Sequence, residues 1–423
     1  MKQVFLILTF LVPLSVMAQQ HLTLEACFDL VSKNYPLAKK SQLLEEQSHL
    51  DIEAIRKAKL PQLDINAQAS YQSDVTILPI TIPNAMVTPP NKDQYRATLD
   101  INQVLYNGGR IDAMSKVRDA GSQIDRQQLE VDLYALNDLV ANLYISVLLL
   151  QENRDLLLAK DKQLQAQIQE VSAGVAYGIL LPASEQALQA ENLRIQQQFS
   201  ELDHNMLSLR QRLSLLIGRE LNAETQFLTP NLANLDSESQ RPELRLFDLQ
   251  KKRMDLSSEL ISRSKLPQLN AFVQGGYGNP GLNMLDNSFD SFYMAGLRLK
   301  WNLFDWEKTK NEKQSLEINK DIINTQKETF ELNNRMELAN LGSDMDKMKS
   351  LIAKDHEIIA LRESILKTSE SQMRNGTITP SAYIIEFTSL YEAKSTLNLH
   401  KIQLLQNQIQ FEIIKGSYYH DQF

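Results

Sequence analysis

The sequence predicts a mostly α-helical chain built from two structural repeats, each with two short strands and one long helical hairpin. Three observations support this prediction. The segment KLPQL at Lys59–Leu63 returns at Lys265–Leu269, a long heptad-like helical pattern follows in each half, and a glycine interrupts each pattern. Self-similarity over such a distance indicates that one fold serves both halves.

The elements follow one another in the same order in both halves. Ala97 and Ala295, Leu105 and Leu303, Gly178 and Gly376, and Pro182 and Pro380 are all separated by the same offset. We therefore predict a first repeat at 19–218, with strands 63–72 and 95–105 and a hairpin at 110–217. A linking segment without periodicity occupies 219–241. The second repeat covers 242–423, with strands 269–277 and 293–303 and a hairpin at 305–415.

The N-terminal residues predict export from the cytoplasm. Lys2 precedes an apolar stretch at 4–16, and Val16-Met17-Ala18 places small residues where a signal peptidase cleaves. A permanent transmembrane helix needs about 20 apolar residues, and this stretch is shorter. We therefore interpret residues 1–18 as a signal peptide.

The composition narrows the classes of function. The 423 residues carry a formal net charge of -8, which argues against nucleic acid as the main partner. A single cysteine, Cys27, excludes an internal disulfide, and we expect it to be buried. The histidines form no HExxH pair, and the sequence has neither a phosphate-binding glycine loop with lysine nor a GxSxG motif. We therefore predict no enzyme activity, no catalytic or metal site and no cofactor.

The four strands have the length and pattern of membrane strands. From Leu63 to Tyr71, apolar or small residues alternate with polar ones, which is typical of a strand with one wet and one oily face. Strands of about 9–11 residues cross a bilayer when tilted. The alternative is a soluble sheet with one face covered by a globular partner domain, and the sequence contains no candidate for that domain.

Four strands are too few to form a barrel alone. A sheet in lipid has no open edges, and single-chain barrels need about eight strands or more. The strands must therefore close with copies from other chains, and three chains give a twelve-stranded barrel. The polar side chains expected to face its water-filled lumen are Asp64, Asn66, Asp100, Asn102, Arg298 and Lys300.

The long helical patterns predict coiled-coil packing. Their apolar residues step by four and three, and a period of 3.5 residues is the mark of a supercoiled seam. About 65 residues at 1.5 Å each make a rod of about 100 Å. Hairpins of this length, laid side by side in the oligomer, would extend the barrel as a helical tube, an α-barrel. The first seam consists of Leu129, Leu133, Leu136, Val140, Leu143, Val147 and Leu150.

Several short motifs, taken in order, resemble the TolC-like outer-membrane efflux protein family, the outer membrane factors. They are Leu22–Ala26, Asn34–Pro36, the two KLPQL segments, Tyr106–Gly109 and the two glycine turns. The resemblance implies a homotrimer with a twelve-stranded outer-membrane β-barrel and a periplasmic α-helical tunnel. It also implies a belt around the tunnel, formed here by 220–241 and the chain ends.

The same resemblance implies a function. Such a trimer is the passive exit duct of a tripartite efflux or type I secretion system, in contact with outer-membrane lipid. It docks to a periplasmic adaptor protein and to an inner-membrane RND or ABC transporter. The implied location is the outer membrane of a Gram-negative bacterium, extending into the periplasm. A periplasmic coiled-coil adaptor, or membrane fusion protein, is the alternative, although adaptors usually carry one hairpin between small β-domains.

The resemblance also assigns adaptor contacts to the tips of the two hairpins. Many relatives place aspartates just after the second tip, where Ala382 and Ile385 stand here, so an acidic pore ring is in doubt. Glu185 and Glu386 could substitute or could lie on solvated helix faces, and Arg374 could bind an acidic neighbour. The implied contacts are Tyr177, Gly178, Ile179, Leu180 and Pro182 at the first tip, and Asn375, Gly376, Thr377, Ile378 and Pro380 at the second.

Overall fold

The computed structural model describes residues 21–76, 89–222, 224–231 and 241–419. The signal peptide and most of 232–241 lie outside the described residues. The helices are α1 (Leu24–Asn34), α2 (Lys40–Lys57), α3 (Arg110–Tyr134), α4 (Leu136–Ala176), α5 (Pro182–Ile217), α6 (Pro242–Arg263), α7 (Lys308–Arg374) and α8 (Pro380–Lys415). The strands are β1 (His21–Leu22), β2 (Gln62–Tyr71), β3 (Asp93–Tyr106), β4 (Gln226–Phe227), β5 (Gln268–Asn279) and β6 (Asp290–Lys300).

Strand β6 ends earlier than its sequence pattern predicts. The alternation continues to Leu303, but the hydrogen-bonded strand stops at Lys300, which pairs with Gln268 at the start of β5. Pro267 precedes Gln268 and has no N–H to donate, so the ladder does not extend further. Residues 301–304 therefore leave the sheet.

The first long helix is interrupted where the sequence predicts continuity. Helices α3 and α4 are separated by Ala135, whose dihedral angles of φ -61° and ψ -21° remain helical. The interruption is therefore one of hydrogen bonding rather than a turn of the chain. No proline or glycine marks it in the sequence.

The described chain divides into two compact units that cut across the two repeats. Unit 1 contains the described parts of 1–38, 132–241 and 333–423, and unit 2 contains those of 39–131 and 242–332. Each unit thus takes segments from both repeats. Unit 1 contains the turns of both hairpins and the helical segments next to them, and unit 2 contains the four-stranded sheet.

Unit 1 has a core around α1, α4, α5 and α8. Tyr144 is fully buried there, and its hydroxyl lies 2.6 Å from the carbonyl oxygen of Leu22 and 2.7 Å from that of Leu228. The hydroxyl thus contacts backbone carbonyls in β1 and just after β4, the two strands of a short parallel pair in which Leu22 is opposite Phe227. The chain start and the segment after α5 are thus attached to the long helices.

Residues 110–176 include one apolar window long enough to cross a membrane, but 56% of that window is buried inside the protein. The side chains of this window pack against α1, α5 and α8 in the unit 1 core, which is typical of a core helix. Most of the predicted seam is buried as expected, namely Leu129, Leu133, Val140, Leu143 and Val147.

Cys27 lies on α1 in the same core, and burial raises the pKa of its thiol to about 12. Because the thiolate is the nucleophile, we expect no alkylation of the folded protein by iodoacetamide at pH 8, and rapid labelling in denaturant. Mass spectrometry of the peptide containing Cys27 measures both. Labelling at equal rates in the two conditions would contradict the buried position.

In unit 2, an antiparallel sheet has the strand order β2-β3-β5-β6. Asp64 lies opposite Asp100, and Asp100 lies opposite Gln274. The β3–β5 register shifts once, between Val104 and Tyr106. Within the described residues, β2 and β6 each have one edge without a neighbouring strand.

The turn from strand to long helix differs between the repeats. Gly108 and Gly109 adopt left-handed angles of φ 65° and 76°, whereas Trp306 and Glu307 adopt φ 53° and 62° at the equivalent positions. A Cβ on Gly108 would lie 2.5 Å from Leu266 Cβ, so the first repeat needs glycine for space as well as for φ. The second repeat accepts strained side chains instead, and α7 begins at Lys308, the position equivalent to Arg110 at the start of α3.

Candidate functional site: the sheet face and the hairpin tips

The six side chains predicted for a lumen all lie on one face of the sheet. Opposed residues in an antiparallel sheet share a face, and the pairing Asn102–Phe272–Gly296 connects β3 to β6. We call this face the wet face. Its predicted members are Asp64 and Asn66 on β2, Asp100 and Asn102 on β3, and Arg298 and Lys300 on β6.

Asp100 is the centre of a hydrogen-bond network on the wet face. Its Oδ2 accepts from Asn66 Nδ2 and from Thr98 Oγ1, both at 2.8 Å. Its Oδ1 accepts from Gln274 Nε2 at 2.5 Å. The network connects β2, β3 and β5, so the carboxylate holds three strands in register.

The opposite face of the sheet, the oily face, exposes large apolar side chains. A soluble monomer rarely exposes so continuous an apolar surface. Its exposed members are Leu63, Ile65, Leu99, Val273, Leu297 and Leu299.

Aromatic side chains lie at both ends of this apolar band. At one end, Phe289 stacks on Tyr95 and Tyr277 with centroid distances of 6.2 and 5.6 Å. At the other end, just after β6, Phe304 and Trp306 form an edge contact at 4.8 Å and are largely exposed. An apolar band between two aromatic girdles is the pattern of strands in an outer-membrane barrel.

The two hairpin turns in unit 1 have the same backbone structure. Ile179 N donates to Gly174 O at 2.8 Å, and at the equivalent positions Thr377 N donates to Gln372 O at 2.9 Å. With Gly178 in the left-handed region, each turn is a Schellman cap. The sequence signal of glycine followed by proline therefore identified two copies of one turn.

The side chains of the tips divide into outward and inward sets. Tyr177, Ile179 and Leu181 are largely exposed. Leu180 and Ile378 instead turn inward and pack against a hydrophobic cluster of unit 1, which we call the tip cluster. Its buried members are Leu157, Leu164, Val171, Leu188, Ile195, Leu366, Met373, Tyr383, Phe387, Leu390 and Tyr391. Sequence reasoning included Leu180 and did not include Leu181, because the direction of a side chain in a turn is not visible in the sequence. The other predicted tip residues, Gly178, Pro182, Asn375, Gly376, Thr377 and Pro380, lie in the two turns or at the following helix starts.

Charged side chains near the tips are paired. Arg374 Nε lies 2.8 Å from Glu170 Oε1 on α4, and its Nη2 lies 2.8 Å from Glu370 Oε1. Glu386 lies 2.9 Å from Arg362 Nη1, which neutralises it. Glu185 accepts a hydrogen bond from Gln189 at 3.1 Å. Glu386 is thus a poor substitute for the missing aspartates.

The tip cluster contains a buried tyrosine whose hydroxyl has no hydrogen-bond partner among the described residues. Tyr383 is fully buried, stacks on Phe387 at 5.8 Å, and burial raises the pKa of its hydroxyl. Tyr391, one turn further along α8 from Phe387, donates to Gln163 Oε1 at 2.8 Å. The two tyrosines therefore differ in hydrogen bonding while sharing one cluster.

Replacing Tyr383 with phenylalanine should stabilise the protein by about 1 kcal/mol, because an unsatisfied buried hydroxyl is removed. Tyr391→Phe is the matched control and should destabilise by about 1 kcal/mol. Thermal unfolding in detergent, followed by helical circular dichroism, measures both. Equal destabilisation by the two changes would show that the Tyr383 hydroxyl has a partner.

Among the described residues, no group of three His, Cys, Asp or Glu side chains is placed to hold a metal ion.

Comparison with known proteins extends this description. Residues 30–219 match the family model described as "Outer membrane efflux protein". CusC, a transmembrane channel-forming protein, is 13% identical with a TM-score of 0.68, covering 93% of this chain and 92% of its own. VceC of Vibrio cholerae is 13% identical with a TM-score of 0.64, covering 93% of this chain and 96% of its own. CmeC of Campylobacter jejuni is 14% identical with a TM-score of 0.63, covering 95% of this chain and 87% of its own. No curated protein sequence matches the chain.

The fold is that of the TolC-like outer-membrane channels. The match of residues 30–219 to this family model confirms the resemblance seen in the sequence, and together with the fold it supports an outer membrane efflux channel. It resides in the outer membrane and extends into the periplasm. The family consists of channels rather than enzymes, and the matches support a channel rather than a periplasmic adaptor.

Proposed function

We propose that three copies of this chain close one twelve-stranded barrel and form a passive exit duct. The observation that carries the proposal is the sheet itself, which has a wet face, an oily face between aromatic girdles and, among the described strands, two free edges. Strand β2 has 10 residues. At about 3.4 Å per residue and a tilt of about 40°, such a strand spans about 25 Å, the height of the apolar band in outer-membrane barrels.

The free edges explain why assembly is needed. The N–H and C=O groups along the outer edges of β2 and β6 would each cost several kcal/mol in lipid without partners. Pairing β6 of one chain with β2 of the next satisfies both edges, and a third copy closes the ring. A homotrimer therefore removes every edge, whereas a monomer in the membrane retains two.

The hairpin tips are the proposed docking surface for a periplasmic adaptor, which in turn connects the duct to an inner-membrane RND or ABC transporter. Two copies of one turn present Tyr177 and Ile179 from the first repeat and Asn375 and Thr377 from the second. In this proposal Leu180 and Ile378 support the tips from inside, and Leu181 joins the outward set.

Breaking the ion pair between Arg374 and Glu170 at the tips would cost little free energy when the duct opens. The side chains of Arg374 and Glu170 are 56% and 44% exposed, and exposed pairs contribute only about 0–1 kcal/mol. Adaptor binding could therefore separate the two hairpins without chemistry in this chain. A role as a passive conduit follows.

Site-specific photocrosslinking tests the docking surface. A photoreactive residue at Ile179 or Thr377 should capture the adaptor encoded with the channel, whereas one at Leu207, exposed in the middle of α5, should not. Capture from Leu207 alone would place the adaptor on the helical wall. Migration of the unheated protein as a monomer would overturn the trimer.

A further inference from the structure

The wet face differs between the two repeats. On β2 and β3 it carries mainly polar side chains, among them Asn66, Thr98 and Asp100, and Gln274 of β5 belongs to the same network. On β5 and β6 it carries Phe272, Met294 and Phe292, which we call the aromatic strip. Register places Phe272 opposite Gly296, Gln274 opposite Met294, and Gly276 opposite Phe292, so the three side chains are neighbours on one face. Simple alternation of polar and apolar residues does not predict this strip.

Glycines on the opposite strand leave the space in which the two rings lie close to the backbone. A Cβ on Gly276 would lie 2.4 Å from Phe292 Cζ, and a Cβ on Gly296 would lie 3.0 Å from Phe272 Cε1. Each ring thus occupies the space that a side chain on the opposite strand would need. The two rings therefore lie close to the backbone of the opposite strand and give the polar face a local apolar surface.

A guanidinium lies over each ring. Arg298 Cζ is 5.1 Å from the Phe272 centroid, and Arg96 Cζ is 5.7 Å from the Phe292 centroid. These are cation–π distances, and both arginines are exposed. The nearby Asp100 carboxylate already accepts three hydrogen bonds, from Asn66, Thr98 and Gln274. Within the part of the chain that the structure describes, neither Arg298 nor Arg96 has a hydrogen-bond or salt-bridge partner, so their N–H groups are available to an incoming anion.

We propose that the aromatic strip with Arg298 and Arg96 is a weak binding site for amphipathic organic anions. The apolar or aromatic part of the ligand lies on Phe272, Met294 and Phe292. Its sulfonate, carboxylate or phosphate pairs with a guanidinium, which favours such planar anions. This inference rests on the proposed barrel, in which the wet face lines the lumen. Weak binding suits a duct, because a permeating molecule must also leave.

Single-channel recording of the trimer in a planar bilayer tests the site. The probe is 8-anilinonaphthalene-1-sulfonate, and N-phenyl-1-naphthylamine is its uncharged counterpart. We expect the anion to block the current in a concentration-dependent way, with about fivefold lower affinity in Arg298→Gln, the loss of roughly 1 kcal/mol. Phe272→Ala should weaken block similarly.

Lys300→Gln is the matched control, because it removes the same charge from the same face two residues away from Arg298. It should change the affinity by less than about twofold, since no aromatic ring lies under Lys300 among the described residues. Equal effects of Lys300→Gln and Arg298→Gln, or equal block by the charged and uncharged probes of the wild-type channel, would overturn the site. A conducting trimer without block would overturn the site alone. The absence of any conductance would overturn the proposed duct, and the site with it.

Discussion

Replacing Lys160 with methionine should lower the free energy of unfolding by about 3–5 kcal/mol, because it removes the buried cation beside the buried carboxylate of Glu191 and leaves only an exposed arginine near it. Lys160 Nζ lies 3.0 Å from Glu191 Oε1, and the two side chains are only 7% and 4% exposed. Lys160 also lies 5.8 Å from the Phe387 ring centroid. The pair thus lies beside the tip cluster, whose buried side chains come from α4, α5, α7 and α8.

Arg194 provides a matched control for this prediction. It lies 3.4 Å from the other oxygen of Glu191, but its side chain is 69% exposed. Arg194→Met should therefore change stability by about 0–1 kcal/mol. Replacing both Lys160 and Glu191 with apolar residues should recover most of the loss, since the buried charge is then absent. Chemical denaturation in detergent measures all three variants, and similar losses for Lys160→Met and Arg194→Met would contradict the role of burial.

Replacing Ile65 with arginine should abolish the assembled trimer, because it places a charge on the oily face near the middle of β2. Ile65 is 80% exposed in the isolated chain. Arginine on the lipid face near the bilayer midplane costs about 2–4 kcal/mol, and a trimer would contain three copies. The measurement is the fraction of outer-membrane protein that migrates as a heat-modifiable trimer.

The adjacent residue tests whether the effect belongs to the face or to the charge. Asp64→Arg introduces the same side chain on the wet face, opposite Asp100. We expect Asp64→Arg to retain the trimer, since an arginine there meets water and a carboxylate. Loss of the trimer in both variants, or in neither, would show that the two faces of β2 do not separate lipid from water.

Periodic elements of this fold could be predicted from the sequence. The alternation along β2 and the four-and-three spacing in α4 repeat many times, so individual exceptions do not hide the pattern. The glycine at each tip was equally informative, since a left-handed residue follows a long helix in only a few ways. Alternation also predicts that the six side chains proposed for a lumen share one face of the sheet, as they do.

The remaining features depend on single positions that no period determines. Alternation along β6 continues through Trp301, yet pairing stops because β5 begins after Pro267. Leu180 and Leu181 are identical in type, and only the geometry of the turn sends one inward and the other outward. The buried pair of Lys160 and Glu191 looks like two solvated charges until α4 and α5 are packed. These features follow from tertiary neighbours rather than from local sequence.

The contrast between Gly108-Gly109 and Trp306-Glu307 has a consequence for an assembled ring. If three chains close the barrel, it contains six junctions between a strand and a long helix. Tightly packed glycine junctions then alternate around the barrel with Trp306-Glu307 junctions, which have strained backbone angles. The left-handed backbone conformation is disfavoured by about 1–2 kcal/mol for a residue other than glycine. We therefore expect the Trp306-Glu307 junctions to change conformation more easily than the glycine junctions. Such a rim has true threefold rather than sixfold symmetry, and its compliance varies around the circumference.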